Sequence, residues 1–150
     1  MDSSAFNILL VEDDDVDVEA FERAKIRSRL PINVRVASDG ILALEILRSQ
    51  CDHSMIDPCA IVLDLNLPRM SGLEFLAELR KDDELKHHLV FVMSTSGDRR
   101  DVEAAQALGV AGYMIKSDEV ANLVNLITKM ATHSRGPDGQ LGGAPDARYN

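Results

Sequence analysis

Acids, a hydroxyl and an amine stand where successive apolar runs of this chain stop. Phe6–Val11 (FNILLV) runs into Glu12, Asp13 and Asp14, and Ile61–Leu63 runs into Asp64. Leu89–Met93 (LVFVM) ends in Ser94 and Thr95, and Ala111–Ile115 (AGYMI) ends at Lys116. If these ends share one edge of a sheet, the acids repel: two carboxylates about 4 Å apart oppose each other by about 4 kcal/mol at an effective dielectric near 20. Converging acids therefore need a cation. One lysine supplies a single charge; a divalent ion supplies two, and an all-oxygen ligand set favours Mg²⁺, Mn²⁺ or Ca²⁺. An aspartate beside such an ion can act as a nucleophile toward phosphorus and form an aspartyl-phosphate. The ion and Lys116 would then offset the charge of the transferred group, and the Thr95 hydroxyl could hydrogen-bond to it. Asp64 is the candidate reactive group, because a buried strand should end in a carboxylate only at its rim, where open α/β sheets place their ligands.

The elements that must bring these residues together can be read from periodicity. Short continuous apolar runs predict strands buried on both faces, as in a parallel sheet. Phe6–Val11, the run into Asp64, Leu89–Met93 and Ala111–Ile115 are of this kind, and the alternating Asn33–Ala37 predicts an edge strand. A helix is expected from about Asp15, with Val16, Ala20, Phe21 and Ala24 on one face and closure at Pro31; Asp14 and Asp15 read as caps. Ser38-Asp39-Gly40 predicts a turn and N-cap before a helix through Ile41, Leu44 and Leu47. Gln50–Pro58 reads as a polar loop and Asp82–His88 as an irregular connector, with His87 and His88 at the surface. Ser71 should cap a helix carrying Leu73, Leu76 and Leu79. Asp98–Leu108 should be helical with Gly109 just past its end, and Ser117 or Asp118 should cap a last helix with Val120, Leu123, Val124, Ile127 and Met130 inward. Five strands alternating with five helices predict a parallel sheet covered on both faces, with right-handed crossovers. Residues 1–132 then form one domain, and the Gly- and Pro-rich 133–150 is expected to be a disordered tail.

Totals narrow the function classes. The 150-residue chain carries a net charge of −9, which argues against non-specific DNA binding and against an anionic membrane surface. No apolar run approaches a membrane span, and MDSSAFN has no basic n-region or long apolar stretch, so neither a span nor a signal peptide is expected. Cys51 and Cys59 lack partners at zinc-finger spacing and read as reduced structural thiols, which places the chain in the cytoplasm.

The ordered set ILLVEDD, IVLDLNLPRMSG, VMSTS and GYMIK resembles the receiver domain of two-component response regulators, from about Phe6 to Met130. That resemblance implies a flavodoxin-like, CheY-like α/β fold with strand order 2-1-3-4-5. Residue by residue, it implies Asp64 as phosphoacceptor, with Asp13, Asp64 and the backbone carbonyl of Asn66 on Mg²⁺ and Glu12 acting through water. Thr95 and Lys116 would contact the phosphoryl group, and Tyr113 would be an aromatic switch moving with Thr95. The donor would be a phosphohistidine of a sensor histidine kinase, and the only catalysis the chain's own phosphotransfer and dephosphorylation. The family usually follows its lysine with a cis-proline. Here Ser117 stands in that place, where a cis bond would cost about 2.5–4 kcal/mol. The Lys-Ser pair, DLNLP and KHHLVFVMSTS are similar to single-domain regulators that partner bacterial phytochrome kinases. With no output domain expected after Met130, signalling would run through protein contacts, including a homodimer across the fourth helix, fifth strand and fifth helix.

Rival readings use the same residues. A pseudo-receiver would keep the fold as a protein-interaction module with phosphorylation idle. An Asp-nucleophile phosphatase would need a general acid two residues past Asp64, where Asn66 stands. An EF-hand starting at Asp13, Asp15 and Asp17 fails because Val18 and Ala24 occupy the positions needing Gly and Glu.

Overall fold

A computed structural model describes residues 5–49, 58–117 and 119–133. Among the described residues, five strands alternate with five helices: β1 Phe6–Val11, α1 Asp15–Ser28, β2 Ile32–Ala37, α2 Gly40–Arg48, β3 Ala60–Leu63, α3 Gly72–Lys81, β4 Val90–Ser94, α4 Arg99–Ala107, β5 Gly112–Ile115 and α5 Val120–His133. The sheet runs β2-β1-β3-β4-β5, and each neighbouring pair is parallel. All five carboxyl ends therefore share one edge, as the resemblance implied.

β3 and β4 are buried along their whole length. Their side chains alternate between two cores. Leu9, Val11, Ile61, Leu63, Val90 and Val92 pack under α2, α3 and α4 with Leu47, Phe75, Leu76 and Leu79. Ile8, Leu10, Val62, Phe91 and Met93 pack under α1 and α5 with Phe21, Ala24, Leu123, Ile127 and Met130. A strand covered on both faces cannot use polar alternation, which is why these runs are continuously apolar.

Local chemistry sets the helix starts at the functional edge. Asp14 caps α1 by accepting from Val16 and Asp17 N–H groups, and Asp39 caps α2 through Leu42 N–H. Ser71 and Glu74 form a reciprocal capping box on α3, satisfying two of its orphan donors. Gly72 is required there: a Cβ would lie 2.4 Å from the Asp64 carbonyl oxygen and 2.5 Å from Leu65 Cα. Gly109 turns the chain after α4 with φ +75.

Several expectations change. Val16 is 70% exposed instead of sharing the inward face of α1, because helical periodicity carries it round from Phe21 and Ala24, and Val18 and Ala20 pack against the core instead. His88 is buried, where a surface position was expected: the connector folds back through turns and buries Leu85 with it. β2 begins one residue earlier, at Ile32, and α5 runs through His133. Cys59 is free and exposed. Cys51, Asp118 and the tail 134–150 lie outside the described residues. Among the described residues there is no cis peptide bond, so Lys116–Ser117 is trans, and no helix is long and apolar enough to cross a membrane.

Candidate functional site

The carboxyl edge gathers the acids. Glu12 and Asp13 follow β1, Asp64 follows β3, and ligand oxygens from the three lie within 4.8 Å of one another. Glu12 and Asp64 are buried, whereas Asp13 is exposed. Lys116, at the end of β5, reaches across to them. Its Nζ lies 2.9 Å from Glu12 Oε1, 2.8 Å from Asp17 Oδ2 and 3.2 Å from Asp64 Oδ2.

The electrostatics follow from burial and neighbours. Removing Glu12 from water pushes its carboxyl up to about 7; Asp64 reinforces the shift, and Lys116 opposes it. Burial alone would lower the Lys116 ammonium. The hydrogen bond to Asp17 and the close approach and charges of Glu12 and Asp64 outweigh that effect and hold it above its ordinary value.

The loop after β3 adds the remaining groups. The Asn66 backbone N–H donates to Asp64 Oδ1 at 3.1 Å, and its side-chain amide donates to Thr95 Oγ1 at 3.2 Å. Thr95 is exposed at the rim after β4. Tyr113 is 4% exposed on β5, and its hydroxyl donates to the Ser96 carbonyl oxygen at 2.7 Å. Burial pushes its phenol above the ordinary value. Ser96 is tied in turn to α4 through Asp101, at 2.7 Å.

These residues fit a hard divalent cation. The donors are all oxygens, three carboxylates surround one ammonium, and buried Glu12 Oε1 has no hydrogen bond of good geometry despite the approach of Lys116. Asp13, Asp64 and Asn66 are the groups that would hold the ion, with Glu12 beside them.

Asp17 was missed from the sequence except as a false EF-hand position. Its signal was available: it lies four residues after Asp13 in the first turn of α1, which starts at the same edge. The pairing of Arg69 with Asp39 gave no sequence signal, since the two are 30 residues apart.

Residues 8–128 match the family described as the response regulator receiver domain. The chain belongs to that family. It is 34% identical over 121 residues to response regulator Rcp1 of Synechocystis sp., spanning 80% of this chain and 82% of Rcp1. It is 36% identical to the chemotaxis protein CheY-3 of Vibrio cholerae, spanning 65% of this chain and 71% of that one. Among solved structures, the phosphorylated cyanobacterial phytochrome response regulator RcpA superposes with a TM-score of 0.74 at 32% identity, covering 87% of this receiver and 92% of RcpA. The bacteriophytochrome response regulator AtBRR gives a TM-score of 0.70 at 32% identity, covering 84% of this receiver and 92% of AtBRR.

Proposed function

We propose that this receiver accepts a phosphoryl group on Asp64 from a sensor histidine kinase, with Mg²⁺ as the ion, and changes its protein contacts as a result. The convergence of Glu12, Asp13, Asp64 and Lys116 on one edge carries the reading. In the transfer, the phosphorus–nitrogen bond of the kinase phosphohistidine breaks as a phosphorus–oxygen bond forms to the Asp64 carboxylate. Nothing is oxidised or reduced. When bound, the ion supplies positive charge opposite the phosphoryl oxygens. Lys116 is already 3.2 Å from the accepting carboxylate and balances part of the incoming charge. The Thr95 hydroxyl turns from Asn66 toward the new anion. Ser96 follows, and Tyr113, bonded to it, passes the movement to β5 and α4. The chain's catalysis is confined to gaining and losing its own phosphoryl group.

The likeness to RcpA and AtBRR supports a kinase of the phytochrome type, and we place the pair in the cytoplasm. A related Rcp1 structure is described as the Mn(2+)-bound form, with a TM-score of 0.72 and 31% identity, which supports a divalent ion here. A homodimer across α4, β5 and α5 completes the reading; Ile115, 42% exposed on β5, offers apolar contact there.

The test is phosphotransfer from a labelled bacteriophytochrome kinase. Label should pass to the wild-type receiver in Mg²⁺, and chelation should stop it. Failure of transfer together with failure to bind Mg²⁺ would leave a pseudo-receiver that acts through binding alone.

A further inference from the structure

The loop that carries Asn66 is clamped from outside the acidic site. Arg69 donates to Asp39 Oδ2 through Nε at 2.9 Å and Nη2 at 2.6 Å. The other Asp39 oxygen accepts from Leu42 N–H at 2.8 Å and caps α2. One carboxylate therefore fastens both a helix start and a loop. Backbone and side-chain hydrogen bonds hold Asp39 below the usual carboxylate range.

The clamp has a defined place in the topology. Asp39 follows β2, and Arg69 lies beyond β3; β1, which delivers Glu12 and Asp13, runs between those strands. Arg69 has φ 64, a left-handed conformation that side chains like arginine rarely take. Arg29, with φ 58, is left-handed because it ends α1; Arg69 closes no helix, and its left-handed backbone belongs to the tight turn in which Met70 N–H donates to the Pro68 carbonyl at 2.6 Å, while its side chain is bonded to Asp39. The loop is also seated on α2: a Cβ at Gly40 would lie 3.0 Å from Met70 Sδ. Gly72 N–H closes the loop on the Leu65 carbonyl at 2.9 Å.

We propose that Arg69 is a positioning residue whose ion pair with Asp39 holds the β3–α3 loop in the shape that sets Asn66 against Asp64 and Thr95. An exposed pair alone would contribute little to stability. Here the carboxylate is buried and fixed by its capping role, with side-chain exposures of 8% for Asp39 and 61% for Arg69. The pair's effect is therefore on loop geometry more than on the fold. Its consequence for the metal rests on the functional reading above; its consequence for the loop does not.

The test compares wild type, Arg69→Gln, Asp39→Asn and the double variant. Glutamine keeps a non-glycine backbone at this position, so the loop gains no backbone freedom and only the guanidinium is lost. Asparagine is as good an N-cap as aspartate, so α2 keeps its start. Amide hydrogen exchange is read at Asn66, Leu67 and Met70, without metal, alongside Mg²⁺ titration. Each single variant should speed exchange in the loop by about tenfold relative to β4 and weaken Mg²⁺ binding by about the same factor. The double variant should add nothing further, because both changes remove one interaction. Unchanged loop exchange in Arg69→Gln, or a rise spread evenly over the whole sheet, would overturn the clamp. If wild type binds no Mg²⁺, the functional reading falls, while loop exchange still decides the clamp.

Discussion

Replacing Lys116 with methionine should destabilise the metal-free receiver and sharpen its dependence on Mg²⁺. The Lys116 side chain is 13% exposed and faces side chains of Glu12 and Asp64 that are 0% and 5% exposed. Methionine keeps most of the volume, so the change is one of charge. Two ionised carboxylates at this spacing would repel by about 4 kcal/mol at a dielectric near 20. Removing one partner from a buried pair costs about 3–5 kcal/mol in general. Without Nζ, Glu12, already pushed up to about 7, rises further and takes up a proton at neutral pH, so the variant should lose somewhat less than that in chelator at neutral pH and more as pH rises. Mg²⁺ at a hundred times its dissociation constant returns about 2.7 kcal/mol. It should return more to the variant, whose acids have lost their competing cation, so the gap to wild type narrows as Mg²⁺ rises. Urea unfolding followed by circular dichroism suits a chain with no tryptophan. A loss below about 1 kcal/mol, against the figure expected for a broken buried pair, would refute the reasoning. So would a gap that Mg²⁺ leaves unchanged.

Other perturbations test separate parts of the structure. Gly72→Ala should cost about 1–3 kcal/mol or more, because the new methyl meets the backbone of Asp64 and Leu65, which cannot step aside; thermal unfolding reads it. Arg80 donates to the carbonyls of Leu108, Lys86, His88 and Gly109, so Arg80→Met should cost about 2–3 kcal/mol in urea and speed exchange at the end of α4. Asp39 has a lowered folded-state pKa, so its contribution is full above the ordinary carboxylate pKa and is lost as pH falls through the folded value. Acid titration of stability should therefore be shallower in Asp39→Asn below about pH 4.

The fold was legible because its central strands are buried on both faces and its helix starts carry side chains that cap them. Asp14, Asp39 and Ser71 do at Asp15, Gly40 and Gly72 what their types suggest. Strand order was not legible from periodicity; it came from the resemblance, and the pairings agree. The end-of-strand residues Glu12, Asp13, Asp64 and Lys116 were found because polarity there interrupts an apolar run. Asp17 and Arg69 were not, since a charged residue in a first helical turn or on a loop looks like any solvated surface charge. Val16 and His88 misled for a related reason: apolar and polar types report average burial, whereas position round a helix or a folded-back connector decides the individual case.

Phosphorylation of the purified chain by a small acyl phosphate in Mg²⁺, read by mass spectrometry of the intact protein, bears most directly on Asp64. A single added phosphoryl group is expected, labile to hydroxylamine, dependent on Mg²⁺ and absent from Asp64→Asn. No adduct on the wild-type chain, or one that persists in Asp64→Asn, would contradict the assignment.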